Sequence, residues 1–528
     1  MVKRAKEIYI ILVIILIALV VRLFFIQIIG HEDLSEATKS QYLVNIDGLD
    51  TRGVIYDRNM VPLTDNSNQY YYIIPVSKWN VQLDQILCCI DGQKVGQQGN
   101  KYYIYRACQF DKDVNKRLIS DYNAYGFQCG SRYQDQQVAA HVIGYLNSSE
   151  KRGVSGIELM CQNVLRAKDK SLALYADSQG NIMKGIDMST SSNITKIKAN
   201  SIVTTLDTVL QSKVEKILAE NGISGGVVIM ETKTGEILTC ASAPEFNPNR
   251  VYEHLSENGD ELINKATQGL YPPGSIFKII VTAAALEKDA SLINKKYNCT
   301  GKTNVNDVDL TCLSGIDGGH GKVHMKEAFA MSCNCYFANL GKEIGSEEIA
   351  SMAVKCGLGH QVLVGFPEEE RGYLPQYQER YFSGISNFSI GQGSLLVTPM
   401  QMAQVTNIIA NNGLKPQVKI VKAGNDIPAD TETPKRVISM ETATKIQKMM
   451  EEVMISGTGN NAKTDVRTGG KTGSAEATID GASVVHGWFT GFFPAEDPQY
   501  TVTVFVENGS SGRLAAVPVF QEIVNFLY

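Results

Sequence analysis

YPPGSIFKIIVTAAALEK, residues 271–288, places a serine at the mouth of an apolar helix. Two prolines and a glycine interrupt the chain just before Ser275, and an apolar, alanine-rich run with helical periodicity follows. Ser275 therefore sits at the positive end of a helix dipole. Lys278, three residues on, shares its face of the helix. A serine hydroxyl is a poor nucleophile until a base takes its proton. A lysine among apolar neighbours, its charged form disfavoured by desolvation, is fit to be that base. Taken alone, Ser-x-x-Lys also describes a plain helix cap followed by a surface lysine, and it recurs at Ser148 and Lys151.

Two further patterns follow in order. Ser332-Cys333-Asn334 lies 57 residues after Ser275, and Lys471-Thr472-Gly473 lies 139 residues after Ser332. Each has decoys: Ser191–Asn193, Ser256–Asn258 and Lys233–Gly235. Context separates them. Ser148 stands in a polar loop with no apolar helix behind it, and Lys233–Gly235 has the composition of a hairpin turn. Around the three motifs, GGVVIME and GEILTCAS flank the turn Thr232–Gly235 as a β-hairpin. Helical periodicity begins at Asp207 and recurs around Lys326–Leu340, Pro399–Asn411 and Thr442–Ile455. Strands return at GWFTGFF and YTVTVFVEN. Strands at both ends with helices between them imply an α/β (α+β) domain over residues 201–528.

The preceding part is different in kind. Residues 8–29 read IYIILVIILIALVVRLFFIQII, in which 18 of 22 residues are Ile, Leu, Val or Phe. As a helix this run is roughly 33 Å long, enough for a bilayer core. Arg22 is off-centre, where it can snorkel. No small-residue cleavage site follows, so a retained transmembrane anchor is expected rather than a signal peptide. Lys3, Arg4 and Lys6 assign residues 1–7 to the cytoplasm and the remainder to the outside of a cell membrane. Residues 30–200 alternate short β-type stretches such as YYYIIPV (Tyr70–Val76) with polar loops, an N-terminal β-rich module ending in a polar linker, Ser178–Asn200. The composition is that of a folded chain, with 44% hydrophobic and 20% charged residues. A formal net charge of −5 gives no basic excess for nucleic acid.

With the flanks included, the chain resembles the class B penicillin-binding proteins, the membrane-anchored, monofunctional peptidoglycan D,D-transpeptidases of bacteria. The resemblance runs through RGVIYDRN (Arg52–Asn59), AAHVIGYL (Ala139–Leu146), GVSGIE (Gly153–Glu158) and TTLDTVLQ (Thr204–Gln211). It continues in SIGQGSLLVTPMQMA (Ser389–Ala403), GGKTGSAE (Gly469–Glu476) and HGWFTGFFPAEDPQY (His486–Tyr500). It departs at Met60, where the family's DRNG has glycine.

The resemblance implies a penicillin-binding, serine β-lactamase-like domain with a central antiparallel sheet flanked by helices, standing on an N-terminal pedestal. It implies that Ser275 attacks the penultimate D-alanine carbonyl of a stem peptide and Lys278 accepts its proton. Ser332 and Asn334 would line the opposite wall, and Lys471 would meet the substrate carboxylate or that of a β-lactam. Thr472 and Gly473 would lie on the edge strand, with the N–H groups of Ser275 and Ser474 as oxyanion hole. No cofactor or metal is implied. A glycosyltransferase of the shape, elongation, division and sporulation (SEDS) family would supply the glycan strands. The competing readings are a D,D-carboxypeptidase, a serine β-lactamase, and a non-catalytic β-lactam sensor or scaffold. A sensor would need several membrane helices and a zinc protease, and no HExxH occurs among the seven histidines.

The chain has eleven cysteines, an odd number that cannot all pair internally. No Cys-x-x-Cys occurs, and neither Cys333 nor Cys335 has a histidine at finger spacing, so structural zinc is not expected. Cys299 and Cys312 flank a polar, turn-forming stretch, TGKTNVNDVD, and a disulfide between them is expected.

Overall fold

The computed structural model describes residues 2–25, 43–46, 52–65, 67–107, 109–147, 152–166, 172–175, 201–255, 260–312, 318–422, 433–479 and 481–528. Ser148, Lys151, Ser191–Asn193, Ser256–Asn258 and the whole of the expected linker Ser178–Asn200 lie outside these. The chain forms two compact units.

One unit takes Met1–Arg52, Ser67–Arg132 and Ala167–Lys198. It holds a four-stranded antiparallel sheet in the order Gln93–Gln98, Tyr102–Ala107, Ser67–Pro75, Tyr125–Ser131. Tyr72, Ile74 and Tyr105 on the strands pack with Leu83 and Leu87 of helix Val81–Cys88 and Leu118 of helix Lys112–Asp121. Both helices start at a side-chain cap, Asn80 and Asp111 respectively. The β-rich reading holds, with two helices added.

The N-terminal helix runs Val2–Phe24, and the side chains from Ile8 to Phe25 are exposed except for half-buried Val13. Among the described residues no helix is long and apolar enough to cross a membrane. The expected span, residues 8–29, runs past the described part at residue 25.

The second unit takes Gly53–Asn66, Tyr133–Arg166 and Ala199–Tyr528. The division therefore differs from a break at residue 200. RGVIYDRN, AAHVIGYL and GVSGIE, placed by sequence in the N-terminal module, fold largely with the C-terminal residues. Ile55–Tyr56 pairs in parallel with Ile202–Val203, and Ile143, Ile157 and Val418 share one core. Short polar-flanked strands carry no local mark of their partner, so this pairing leaves no trace in the sequence pattern. Met60 takes the left-handed backbone conformation, φ 65°, that glycine would supply. The turn survives because Asp57 Oδ1 accepts from Asn59 N and Val61 N, both at 2.8 Å.

At the centre is an antiparallel sheet of five strands: β1 (Gly225–Glu231), β2 (Ile237–Ala243), β3 (Gly469–Ile479), β4 (Ala482–Phe493) and β5 (Tyr500–Val506). Their order is β2-β1-β5-β4-β3. β1 is buried on both faces, hence its unbroken apolar run. Val227 and Ile229 pack with Leu210 and Val214 of helix Thr208–Glu220 and with Phe520 and Ile523 of helix Val517–Leu527. Val228 and Met230 face the opposite way, as a period of two requires. Helix Lys278–Lys288 packs against helices Asn334–Ile344, Ser346–Cys356 and Met440–Ile455, and every side chain from Lys278 to Leu286 is buried.

Candidate active site

Ser275 lies in a single 3-10 turn, Gly274–Phe277, that feeds the α-helix starting at Lys278. The turn is tied down on several sides. Gly274 donates to Gly391 O at 2.8 Å, and Trp488 Nε1 donates to Pro272 O at 3.0 Å. Tyr271 donates its N–H to Val397 O at 3.0 Å and its hydroxyl to Glu507 Oε1 at 2.8 Å. Gly274 sits at φ 56°, and a Cβ there would stand 2.7 Å from Ser474 O. Only glycine lets the nucleophile turn lie this close to edge strand β3.

Lys278 Nζ joins two of the three motifs. It donates to Ser275 Oγ at 3.0 Å, Ser332 O at 2.8 Å, Ser332 Oγ at 3.2 Å and Asn334 Oδ1 at 2.7 Å. No carboxylate appears among these partners, and the Phe337 ring lies 5.4 Å away. Burial lowers the Lys278 pKa from 10.5 to about 8. At that pKa about a tenth of the amine is neutral at pH 7, against almost none of an unshifted lysine, and the amine is aimed at the serine proton. Ser332, at φ 57°, is one of few non-glycine residues in the left-handed region, and the following helix begins at Asn334. This strained turn presents the Ser332 hydroxyl and the Asn334 amide side by side.

Lys471 on β3 is fully buried, donates to Thr472 O at 3.0 Å and lies 5.7 Å from the Phe329 ring. Burial first, and the Lys278 charge second, hold its pKa well below the ordinary lysine range. Thr472 Oγ1 pairs with Thr458 Oγ1, Gly473 is buried, and exposed Ser474 accepts from Gly512 N at 3.2 Å. The decoy Lys233–Gly235 forms the β1–β2 turn, in which Lys233 and Thr234 are exposed and Lys233 lies beside Asp497. Sequence reading missed Thr458, Trp488 and the anchoring pair Tyr271–Glu507. Each works through the fold and has no motif of its own.

Cys299 and Cys312, expected to be bridged, are free thiols. Both turn to one ring instead: their Sγ atoms lie 3.6 and 3.4 Å from His320 Nδ1, and Cys312 Sγ lies 3.9 Å from Cys333 Sγ. The four donor atoms fall within 4.8 Å of one another. A tetrahedral zinc ion with bonds of about 2.3 Å to sulfur and about 2.0 Å to nitrogen sets S···S at about 3.8 Å and S···N at about 3.5 Å. These residues are therefore spaced to hold such an ion. Short finger spacings do not reveal this cluster, because its residues come from four separate segments.

A buried lysine of lowered pKa on a serine hydroxyl, opposite a second serine and an amide, defines an acyl-serine enzyme of the lysine-base type. Residues 225–525 match the family described as penicillin binding protein transpeptidase domain, and the chain belongs to it. It is 27% identical to the peptidoglycan D,D-transpeptidase MrdA of Acinetobacter baumannii, over 96% of this chain and 85% of that protein. It is 27% identical to stage V sporulation protein D of Bacillus subtilis, over 99% and 85%. Among solved structures it is similar to the Helicobacter pylori complex of penicillin-binding protein PBP2 with MreC, with TM-score 0.72 and 22% identity over 92% of this chain and 98% of that one.

Proposed function

We propose that the chain is a cell-wall D,D-transpeptidase that cross-links peptidoglycan stem peptides through an acyl-serine intermediate and is acylated by β-lactams. The observation that carries the reading is Lys278 Nζ, held at once by Ser275 Oγ, Ser332 and Asn334 Oδ1. Ser275 Oγ attacks the penultimate D-alanine carbonyl carbon as its proton passes to neutral Lys278. The N–H groups of Ser275 and Ser474 receive the developing oxyanion. The proton returns through Ser332 Oγ to the nitrogen of the departing D-alanine. An amine from a neighbouring strand then displaces Ser275 and forms the cross-link. Lys471 meets the terminal carboxylate, whose charge favours the protonated amine that burial disfavours, while Asn334, Thr472 and Gly473 align the substrate backbone.

The N-terminal helix anchors the chain in the bacterial cell membrane through residues 8–29, with residues 1–7 cytoplasmic and the two folded units outside. The band of exposed isoleucine, leucine and valine along Ile8–Phe25 supports this. The four-stranded unit serves as the pedestal. Glycan strands come from a SEDS-family glycosyltransferase in the same membrane.

Fluorescent-penicillin labelling of the detergent-solubilised chain, followed by cross-linking to an amine acceptor, tests the reading. Labelling that depends on Ser275 with transfer to the amine supports a transpeptidase. Labelling with release to water alone makes the protein a carboxypeptidase, and a stable adduct without turnover of a stem peptide makes it a sensor or scaffold.

A further inference from the structure

Four of the ten residues from Tyr373 to Phe382 are aromatic, in a chain that is 8% aromatic overall, and none of the four is buried. Tyr373 is 39% exposed, Tyr377 46%, and Tyr381 and Phe382 56% each. Aromatic rings gain more from burial than most side chains, so a cluster of them left in solvent points to a ligand that covers it. The cluster is held in place. The rings of Tyr377 and Tyr381 stack, with centroids 4.9 Å apart and planes at 27°. Tyr373 donates its hydroxyl to Glu379 Oε2 at 2.6 Å, and the same oxygen accepts from Gln376 N at 2.8 Å. Arg380 donates to Pro375 O at 2.6 Å and to Glu347 Oε1 at 2.8 Å, which fixes the short helix Tyr377–Arg380 from behind. The charges of the patch are thus taken up internally, and what it presents outward is rings and hydroxyls.

Phe382 adds strain to exposure. It holds φ 49°, a left-handed conformation that bulky side chains rarely adopt, and its carbonyl accepts from Asn306 Nδ2 at 2.9 Å. Core packing gives nothing back for this strain, since Phe382 is more than half in solvent. Asn306 and Asp307, at φ 48° and 64°, form the two-residue turn of the hairpin Lys302–Val305 with Val308–Thr311. Both connections lead to the catalytic centre. The hairpin ends at Thr311, whose carbonyl accepts from Asn334 Nδ2 at 3.4 Å. On the other side, helix Gly384–Ser389 leads to Gly391, whose carbonyl accepts from Gly274 N, next to Ser275. Five extended residues on the first path, and two helical turns with short connections on the second, put the aromatic patch within roughly 20 Å of both Asn334 and Ser275.

That distance fits the substrate. About four stem residues separate the sugar from the carbonyl that Ser275 attacks, and at about 3.5 Å per extended residue the glycan begins roughly 14 Å away. Its N-acetylated sugars are uncharged. Each has a face of C–H bonds that lies flat on an aromatic ring, and hydroxyl and acetamido groups that pair with tyrosine hydroxyls. We propose that Tyr377, Tyr381 and Phe382 form a glycan subsite, which seats the sugar strand of the acyl donor while its stem peptide enters the Ser275 cleft. The subsite selects donors still attached to glycan over free peptides. It rests on the transpeptidase reading for the identity of the donor; the binding of sugar to the patch is measured independently of it.

Two soluble donors with one stem isolate the contribution of the sugar: a free pentapeptide ending in D-alanyl-D-alanine, and the same pentapeptide on a disaccharide of N-acetylglucosamine and N-acetylmuramic acid. With the full chain in detergent, release of D-alanine gives kcat/KM for each. The wild type is expected to prefer the disaccharide form by about tenfold, the effect of one good aromatic contact. The preference should lie in KM, because the sugar is remote from the reacting atoms. Tyr381→Ala and Phe382→Ala should bring the ratio to within about threefold of one, whereas Tyr381→Phe, which keeps the ring, should retain most of it. The ratio compares two substrates on one preparation, so a loss of folded protein cancels. In parallel, saturation-transfer NMR with the β-1,4-linked N-acetylglucosamine tetramer should show transfer to the C–H face of the sugars, and Tyr381→Ala should remove it. A wild-type ratio within about threefold of one refutes the subsite. So does a preference that Tyr381→Ala and Phe382→Ala both leave intact, which would seat the glycan elsewhere and give the patch to another occupant. Turnover of neither donor refutes the transpeptidase reading, and the tetramer alone then judges the subsite: transfer that depends on Tyr381 upholds it, and no transfer overturns it.

Discussion

Between pH 6 and pH 9 the acylation rate of Ser275 is expected to follow the titration of Lys278. The amine must be neutral to accept the serine proton, and burial, with no carboxylate among its hydrogen-bond partners, brings its pKa to about 8. The neutral fraction is then about 1% at pH 6, about 10% at pH 7 and about 90% at pH 9. An unshifted lysine, at 10.5, would be neutral in only about 0.03% of molecules at pH 7. The fold therefore raises the concentration of usable base about 300-fold, roughly 3 kcal/mol of free-energy difference between the two protonation states. The direction follows from the sign of the shift: the rate climbs tenfold per unit below pH 8 and levels above it. The same depressed pKa means that the unfolded chain holds more protons between pH 8 and 10.5, so the burial penalty on Lys278 fades as pH rises through that window. The assay is the second-order rate of fluorescent-penicillin labelling by quenched flow, corrected for hydrolysis of the free drug. A profile flat from pH 6 to 9, or one still rising past pH 10, would show that Lys278 is not the base.

Ser275→Ala should abolish covalent labelling with an unchanged circular dichroism spectrum, since it removes only a half-buried hydroxyl, and surviving label would place the nucleophile elsewhere. Lys278→Ala should slow acylation by about 10²–10⁴, and a rate within threefold of wild type would make the lysine a bystander. Met60→Gly should raise stability by about 0.5–1 kcal/mol in denaturant unfolding, because an exposed side chain is exchanged for the residue that tolerates φ 65°; a loss of stability would contradict the turn described for Asp57–Val61. Trp488→Phe should cost about 1–3 kcal/mol, by leaving Pro272 O without its donor, and should slow labelling by loosening the seat of Ser275; unchanged stability together with unchanged labelling would show that this bond does not hold the turn.

What could be read in the sequence follows from which forces are local. The β1–β2 hairpin, the helix after Ser275 and the β4–β5 pair announce themselves through periodicity and turn chemistry, and the structure forms them. The three motifs were legible as an ordered set, and the structure brings Ser275, Lys278, Ser332 and Asn334 into one hydrogen-bonded group. The helix predicted as one piece over Lys326–Leu340 breaks at Met331–Cys333, where Ser332 turns left-handed, because the site needs two side chains presented outward. Pairings between distant segments left no local trace. Ile55 finds Ile202, and Cys299 finds His320 rather than a disulfide partner. Neither is encoded in spacing, because both depend on loops closing over tens to hundreds of residues.

The sheet order β2-β1-β5-β4-β3 sets a timetable for the growing polypeptide. β1 and β2 emerge together, but the neighbour that covers the other edge of β1 is β5, which leaves the ribosome roughly 250 residues later. At a synthesis rate of about 5–20 residues per second that interval is roughly 12–50 s. Throughout it, a strand apolar on both faces presents an unpaired row of N–H and C=O groups, the kind of edge that captures other chains. That edge stays open until Tyr500–Val506 has been made. A nonsense codon before Tyr500 would release not a smaller enzyme but an open template for aggregation.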